Sequence, residues 1–230
     1  MSKIAIMGAM PEEIEPLLAK VENVKKIEYA NNSYYEATYN GKELVIAYSK
    51  IGKVFSSLTA STLLEKFACS KLLFSGVAGA INPELKIGDL IIADKLCQHD
   101  LDISIFGHAY GYVPEGAVFV ESDEGLRQIA KEVAKKNGLS LIEGTIATGD
   151  QFVASNERKE FITEHFKADA LEMEGASVAV VCDALNVPFF VLRAISDTAN
   201  DDAGVDFDEF MITSAKISAN FILDMVENID

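Results

Sequence analysis

Two glutamates lie close together in the segment ALEMEG at residues 170–175, which leads into the apolar run ASVAVVC. Residues two apart in a β-strand point to the same face, so this spacing predicts that Glu172 and Glu174 project together while Met173 faces the other way. Two like charges in a partly buried place are costly unless hydrogen-bond donors meet them. The pair is therefore either a solvent-facing or salt-bridged feature of a strand or part of a binding site, and this segment alone does not decide.

Acidic residues follow two other apolar runs. Glu12 and Glu13 come after IAIMGAMP, and Asp197 comes after VLRAIS. In open α/β sheets the ligand site forms beyond the carboxyl ends of the strands, so these acids and the pair at residues 172 and 174 predict a shared catalytic cleft. The alternative for Glu12 and Glu13 is a helix start, because a helix N-terminus favours carboxylates.

Short apolar runs recur along the chain and alternate with stretches of helical period, which predicts an α/β fold. The apolar runs are KIAIMGA, ELVIAYS, KLLFSGVAG, DLIIAD, GTIATGD, ALEME and PFFVLRAIS. The helical stretches cover 11–20, 53–67, 122–137, 156–166, 175–186 and 206–228. Neither a repeat nor a low-complexity linker interrupts this alternation, so we expect one domain over residues 1–230.

Composition narrows the class of protein. The chain of 230 residues has 20 basic and 36 acidic residues, a formal charge of −16, which repels phosphate backbones and anionic membrane surfaces. We therefore expect neither nucleic acid nor membrane as a partner. The uncharged run LLFSGVAGAINP is too short to span a bilayer, so we also expect a cytoplasmic protein. The three cysteines Cys69, Cys97 and Cys182 form no CxxC pair and are expected to be buried thiols.

Motifs for several cofactor sites are missing from the sequence. Gly52 and Lys53 are followed by Val54 rather than by the rest of a phosphate-binding loop, and no GxGxxG follows a strand. His99 stands in the segment HDLD without a second histidine at ligand spacing, so no metal site is expected.

The segment from Cys97 to Glu121 is a long connection rich in aromatic residues, glycine and proline. Long connections without their own secondary structure are usually functional or disordered, and aromatic residues argue against disorder. This pattern predicts a contact loop at a subunit interface or over a site.

Six motifs in this order and spacing, GAMPEEI, SKIGKV, FSGVAGA, TGDQFV, LEMEG and RAISD, resemble bacterial 5′-methylthioadenosine/S-adenosylhomocysteine nucleosidase. The resemblance spans nearly the whole chain. It implies a nucleoside-phosphorylase-like fold, a three-layer αβα sandwich with a mixed central sheet. It also implies a homodimer that works without a cofactor. The implied reaction is hydrolysis of adenine nucleosides with modified 5′ groups, among them 5′-methylthioadenosine, S-adenosylhomocysteine and 5′-deoxyadenosine.

The resemblance also implies roles for single residues. Glu13 would orient and deprotonate the attacking water with help from Arg193. Asp197, held by Ser196, would deliver a proton to adenine N7. Glu174 would accept hydrogen bonds from the ribose hydroxyls, and its charge would favour the oxocarbenium-like transition state.

The remaining implied residues bind the substrate. Phe152 would stack on adenine while the backbone of Val153 reads its edge, and Met173 would pack against the sugar beside Glu172. The SGVAG segment supplies Val77, Ala78 and Gly79. The apolar 5′ pocket would be lined by Met10, Ile51 and Phe207, with Ile103, Phe106 and Pro114 reaching in from the partner subunit.

Two positions depart from the common pattern. Val77 stands where many relatives have serine, which removes a hydroxyl contact to the water and places more weight on Glu13 and Arg193. His108 stands where relatives often carry tyrosine and, with TGDQF, resembles the branch that also cleaves 6-amino-6-deoxyfutalosine in menaquinone synthesis. A hydrogen-bonding histidine suits a polar 5′ group.

Two other functions remain open at this point: a purine nucleoside phosphorylase and a non-catalytic nucleoside-binding protein. A phosphorylase needs cationic donors around its phosphate, and this chain has only Arg127, Arg158 and Arg193 as arginines. A binding protein would have little need for both a water-activating acid and a leaving-group acid. Hydrolysis is therefore the preferred prediction.

Overall fold

The computed structural model describes residues 3–199 and 203–229, which form ten strands and six α-helices. The strands are β1 Lys3–Gly8, β2 Glu22–Tyr29, β3 Asn32–Tyr39, β4 Lys42–Tyr48, β5 Cys69–Ala80, β6 Leu90–Gln98, β7 Phe119–Glu121, β8 Leu141–Thr148, β9 Ala170–Glu172 and β10 Phe189–Asp197. The helices are α1 Pro11–Leu18, α2 Lys53–Ser61, α3 Glu124–Asn137, α4 Asn156–Phe166, α5 Gly175–Ala184 and α6 Ala203–Asn228.

The strands form one mixed sheet in the order β10-β6-β8-β9-β5-β1-β4-β3-β2, with β7 on β6. Strand β5 pairs in parallel with β1 and β10, and β10 pairs in turn with β6 in antiparallel fashion. Since β6, β8 and β9 continue back to β5, these five strands close into a ring. The predicted mixed sheet is confirmed. The closure of five strands into a ring was not predicted.

Helices cover both faces of the sheet. Along β1, Ala5 and Met7 point into one hydrophobic cluster, while Ile4 and Ile6 point into the other. The first cluster contains side chains from α2 and α5, and the second contains side chains from α1, α3 and α6. A strand buried on both faces is apolar along its buried length, which explains the run IAIMG that follows Lys3. The expected three-layer αβα architecture is confirmed.

Several element boundaries differ from the sequence prediction. Helix α6 begins at Ala203 rather than at 206, and α2 gives way at Thr62 to one π-helical turn. The hairpin of β2 and β3 was not predicted, because β2 is exposed along most of its length and carries no apolar alternation.

The segment of the paired glutamates is also different from its prediction. Strand β9 ends at Glu172, and Glu174 occupies the N-cap position of α5 with φ −137° and ψ −37°. The prediction of one strand that carries both glutamates on one face was therefore wrong. The two carboxylates enter the same cavity from a strand end and a helix start.

All three cysteines are buried free thiols, as expected. Burial raises the pKa of each thiol to about 12, so none is poised as a nucleophile. Within residues 3–199 and 203–229, every helix is too short or too polar to cross a bilayer.

Candidate active site

A cavity of about 330 Å³ opens at the carboxyl ends of β1, β5 and β10 and at the segments that follow β8 and β9. It contains most of the residues that the sequence predicted: Met10, Glu13, Ile51, Val77, Ala78, Gly79, Phe152, Val153, Glu172, Met173, Glu174, Ser196, Asp197 and Phe207. Glu12 lies outside this lining, so the structure separates Glu13 from its neighbour as the acid that faces the cavity.

Glu13 is buried in the first turn of α1. Its Oε2 accepts hydrogen bonds from the backbone N–H groups of Ala9 at 2.5 Å and Met10 at 3.0 Å, and its Oε1 accepts one from Val77 at 3.0 Å. Burial raises the pKa of Glu13, while the Arg193 charge and these N–H groups oppose that rise. The result is a fixed carboxyl group with more basic character than an exposed glutamate.

Arg193 lies buried on β10 and does not line the cavity itself. Its Nη1 donates to the carbonyls of Phe74 at 3.2 Å and Leu192 at 3.0 Å, and its guanidinium lies 4.0 Å from the Phe74 ring centre. Its Nη2 donates to Oε2 of Glu172 at 2.6 Å. Arg193 is thus connected to the cavity wall through Glu172.

Glu172 finds its donors within the protein. The backbone N–H groups of Glu174 at 3.2 Å and Gly175 at 2.7 Å donate to Oε2, and the Thr148 hydroxyl donates to Oε1. The Ala176 N–H in turn donates to the Thr148 oxygen at 2.8 Å. These bonds place a negative charge at the N-terminus of α5, where the helix dipole favours it. The same bonds compensate the burial of the Glu172 carboxylate next to a second carboxyl group.

Glu174 is buried in the same wall, and its Oε1 accepts a hydrogen bond from the Gly52 N–H at 2.8 Å. Burial, followed by the charge of Glu172, raises the pKa of Glu174 to about 8. The surrounding protein groups therefore favour a protonated Glu174 at neutral pH. A ligand that brings its own donors would stabilise the ionised form.

Asp197 ends β10 and is buried. Its Oδ2 accepts from the Ser196 hydroxyl at 3.0 Å, and its Oδ1 accepts from the Ala199 N–H at 2.9 Å. Lys159 on α4 donates to the Thr198 carbonyl at 2.9 Å, which anchors the chain directly after this acid. Ser196 holds the aspartate as the sequence analysis expected.

Aromatic and apolar side chains form the rest of the wall. Phe152 is 50% exposed and meets Phe207 edge to face, with ring centres 5.7 Å apart and an interplanar angle of 82°. Ile51 is 55% exposed. Large apolar side chains exposed at a cavity mouth provide a surface for a flat base or an aliphatic group.

Four predicted site residues lie away from this cavity within the single chain. Ile103, Phe106, His108 and Pro114 belong to the connection between β6 and β7, whose regular structure is a 3₁₀ turn over Ser104–Phe106. Phe106 is 78% exposed, and His108 is exposed and stacks on Tyr112 at 4.8 Å. Their assignment to a partner's site stays a prediction.

Sequence reasoning missed some residues of the site. Ala9, Gln151, Leu171 and Ala199 line the cavity without having been named. Ala9, Gln151 and Leu171 stand inside the quoted motifs GAMPEEI, TGDQFV and LEMEG, and Ala199 lies two residues after RAISD, so the motifs themselves were a usable signal. Among the described residues no group of three histidine, cysteine, aspartate or glutamate side chains has the arrangement of a metal site.

Comparison with known proteins finds relatives that agree with one another on the family of this chain. The family model of the phosphorylase superfamily matches residues 3–227. The chain is 59% identical over 229 residues to an aminodeoxyfutalosine nucleosidase of Campylobacter jejuni, with 100% of both chains covered. It is 38% identical over 226 residues to a 5′-methylthioadenosine/S-adenosylhomocysteine nucleosidase of Geobacillus kaustophilus, with 97% of this chain and 96% of the relative covered.

A solved structure agrees with these relatives. The 5′-methylthioadenosine/S-adenosylhomocysteine nucleosidase of Helicobacter pylori with butyl-thio-DADMe-Immucillin-A superposes with a TM-score of 0.98 and 49% identity, covering 100% of this chain and 99% of that one. The resemblance drawn from the six motifs is thereby confirmed. The chain belongs to the phosphorylase superfamily and, within it, to the family of 5′-methylthioadenosine/S-adenosylhomocysteine and aminodeoxyfutalosine nucleosidases.

Proposed function

We propose that this chain hydrolyses the N-glycosidic bond of adenine nucleosides with modified 5′ groups and releases adenine. The observation that carries this proposal is a cavity whose four buried acids include two with separate supports, Glu13 at the start of α1 and Asp197 at the end of β10. Hydrolysis of a nucleoside needs a base for the attacking water and an acid for the leaving base, and two such acids meet this need.

Glu13 takes the role of base. Its carboxylate is fixed by three backbone N–H groups, and burial raises its pKa, so it accepts a proton from water more readily than an exposed glutamate does. The hydroxide equivalent adds to the anomeric carbon as the bond to adenine breaks. Val77 contributes its backbone N–H to Glu13 rather than a side-chain hydroxyl to the water.

Asp197 takes the role of acid toward the leaving base. Adenine leaves poorly as an anion, so a proton delivered to N7 lowers the barrier. Ser196 and the Ala199 N–H hold one oxygen each of the Asp197 carboxyl group, which fixes the direction in which it donates. Phe152 offers a face for the base beside it, and Val153 supplies backbone groups for its edge.

Glu174 binds the sugar. The ribose hydroxyls add donors to the Gly52 N–H that Glu174 already accepts from, so binding shifts Glu174 toward its ionised form. The resulting negative charge stabilises the positive charge that develops on the ribose as the glycosidic bond breaks. Met173 packs on the sugar, and Met10, Ile51 and Phe207 receive the 5′ group.

The arginines favour hydrolysis over phosphorolysis. Arg193 pairs with Glu172, Arg127 pairs with Glu143 at 2.7 Å, and Arg158 donates to the His99 carbonyl at 3.0 Å. Among the described residues, no arginine lines the cavity, so none is placed there to bind a phosphate ion. A phosphate ion would also meet the charge of Glu13 there.

We further propose a homodimer with one nucleosidase domain per chain. Val54 and Leu58 on α2 are 77% and 45% exposed, and Ile105 and Phe106 in the β6–β7 connection are 88% and 78% exposed. Apolar surface of this extent is typical of protein interfaces. The partner's Ile103, Phe106, His108 and Pro114 would then reach the 5′ end of the substrate.

Among the substrates, we place 6-amino-6-deoxyfutalosine beside 5′-methylthioadenosine, S-adenosylhomocysteine and 5′-deoxyadenosine. The support is the 59% identity to a relative named for aminodeoxyfutalosine, together with the 49% identity to a solved structure named for 5′-methylthioadenosine and S-adenosylhomocysteine. The test is adenine release from each nucleoside under the same conditions, with kcat/KM compared. We expect cleavage of all four, and absence of adenine release from every one would contradict the proposal.

A further inference from the structure

Three segments meet in an ionic cluster beside the cavity, formed by Lys53, Asp100 and Asp150. The Lys53 ammonium donates to Oδ1 of Asp100 at 2.6 Å, and the Lys53 backbone N–H donates to Oδ1 of Asp150 at 2.8 Å. The Asp150 N–H donates to Oδ2 of Asp100 at 2.9 Å. The three residues thus form a closed ring of hydrogen bonds, which we call the Lys53–Asp100–Asp150 ring.

Each member of the ring belongs to a different part of the fold. Lys53 is the first residue of α2, Asp100 lies at the root of the connection between β6 and β7, and Asp150 follows β8. The side chains of Lys53 and Asp100 are 18% and 15% exposed. Burial acts to raise the pKa of Asp100, but the Lys53 ammonium and the Asp150 N–H hold it below its ordinary value.

The ring adjoins the cavity without lining it. Gly52, which precedes Lys53, donates its N–H to Glu174, and Phe152, two residues after Asp150, forms part of the cavity wall. A shift of α2 or of the 150–153 segment would therefore move a group that faces the nucleoside. A partly buried ion pair with satisfied hydrogen bonds restricts such shifts more than an exposed pair does.

A second contact fixes the same root. Arg158 on α4 donates through Nη2 to the carbonyl and to Nδ1 of His99, each at 3.0 Å. Burial, with the nearby Arg158 charge, lowers the pKa of His99 to about 4, so its ring is neutral and Nδ1 accepts. The root of the connection is thus held from α4 as well as from α2.

We infer that Lys53 and Asp100 are positioning residues for nucleoside binding, because their ion pair holds the β6–β7 connection, the start of α2 and the 150–153 wall in one arrangement. The inference rests on the nucleosidase function proposed above and adds two residues to it. Glu13 on α1 and Asp197 on β10 accept hydrogen bonds from the Ala9 and Ala199 N–H groups, which lie outside the ring. Loss of the ion pair therefore weakens binding more than it slows the chemical step.

The experiment compares Lys53→Met, Asp100→Asn, their combination and Lys53→Arg with the unchanged chain. We expect KM for 5′-methylthioadenosine to rise by roughly tenfold in Lys53→Met and in Asp100→Asn while kcat stays within about threefold. Lys53→Arg should recover most of the loss because it keeps the charge. The double variant should be no worse than the worse single variant, because both changes remove one interaction.

The matched control is Lys3→Met. Lys3 pairs with Glu36 at 2.8 Å near the amino end of β1, at the opposite end of that strand from the cavity. We expect its KM to equal that of the unchanged chain. Thermal unfolding of every variant shows whether the fold is kept, and the acid limb of the pH profile should not move in the folded variants.

Calorimetric titration with adenine, the product of the proposed reaction, gives a readout that does not depend on turnover. We expect the dissociation constants to rise in parallel with KM. Folded Lys53→Met and Asp100→Asn variants with unchanged dissociation constants, or a double variant whose losses multiply, would overturn the inference. If the unchanged chain binds adenine but releases none from any nucleoside, the proposed function fails. The ratio of each variant's dissociation constant to that of the unchanged chain still tests the positioning role of Lys53 and Asp100.

Discussion

The carboxylate of Glu13 and the guanidinium of Arg193 approach the same residue of β5, Gly76. A β-carbon at position 76 would lie 2.7 Å from Oε1 of Glu13 and 3.3 Å from Nη1 of Arg193. The first distance is shorter than ordinary van der Waals contact, and Oε1 is held at its place by the Val77 N–H at 3.0 Å. Because glycine has no β-carbon, position 76 leaves room for both side chains to approach the same point of β5.

The first prediction concerns Gly76→Ala. The added methyl group must displace Glu13 or Arg193, and displacement of a catalytic group by about 1 Å can cost on the order of 10² in rate. We expect kcat to fall by about that factor, with a smaller change in KM. Steady-state kinetics with 5′-methylthioadenosine checks this.

The control for that variant is Gly125→Ala. Gly125 is exposed at the start of α3, away from the cavity lining. It should keep both kinetic constants. A Gly76→Ala chain with the kcat of the unchanged chain and the same unfolding temperature would show that the close approach has no part in activity.

The second prediction concerns Asp197→Asn. Asparagine keeps the shape of the side chain but has no acidic proton for adenine N7. We expect a loss of about 3–5 kcal/mol of transition-state stabilisation, which combines lost proton transfer with a poorer electrostatic fit. Single-turnover rates measure the loss, and calorimetry should show that the nucleoside still binds. Turnover near that of the unchanged chain would remove Asp197 from the acid role.

The third prediction concerns stability and pH. Burial and the charge of Glu172 raise the pKa of Glu174 to about 8 from the ordinary 4.5. Between these values the folded chain holds a proton that the unfolded chain has lost. The contribution of Glu174 to the free energy of unfolding therefore falls as pH rises from about 4.5 to about 8, by at most about 1.4 kcal/mol per pH unit.

Glu174→Gln isolates this contribution. The amide does not titrate, so the difference in unfolding free energy between the two chains should change across that pH range and level off above it. Chemical denaturation without nucleoside, at pH values from 5 to 9, measures the difference. His99, whose pKa burial lowers to about 4, contributes equally to both chains. A difference that stays constant with pH would contradict the raised pKa.

The fourth prediction concerns the interface. Sedimentation velocity should show particles of twice the 25.0 kDa chain mass. Val54→Glu places a charge on the exposed face of α2, so we expect it to produce monomers with raised KM. Val24→Glu on β2, where Val24 is 47% exposed, should leave the dimer intact. A fully active monomer of the unchanged chain would rule out a shared site.

The sequence predicted the alternation of strands and helices because apolar runs and helical periods depend on local spacing. It could not predict the ring of strands, since the pairing of β10 with both β5 and β6 depends on how the whole sheet closes. Strand β9 has three residues, too few for an alternation to fix which way Glu172 and Glu174 point.

The site was also predicted in part, because the sequence indicated its residues but not the contacts between them. Acids that follow strands were found from local spacing, and Glu13 was separated from Glu12 only by the structure. The bond from Arg193 to Glu172 and the bond from Gly52 to Glu174 join segments far apart in the chain. Residue spacing contains no signal for such bonds, whereas motif resemblance located their residues.

Activation of water by Glu13 is the central claim, and cleavage in ¹⁸O-labelled water tests it most directly. With 5′-methylthioadenosine and added phosphate, we expect adenine and a free sugar with one ¹⁸O at its anomeric carbon. The rate should not respond to phosphate, and Glu13→Gln should lose about 10² to 10⁴ in turnover while it still binds the nucleoside. A sugar 1-phosphate without the label, with a rate that rises with phosphate concentration, would contradict the account.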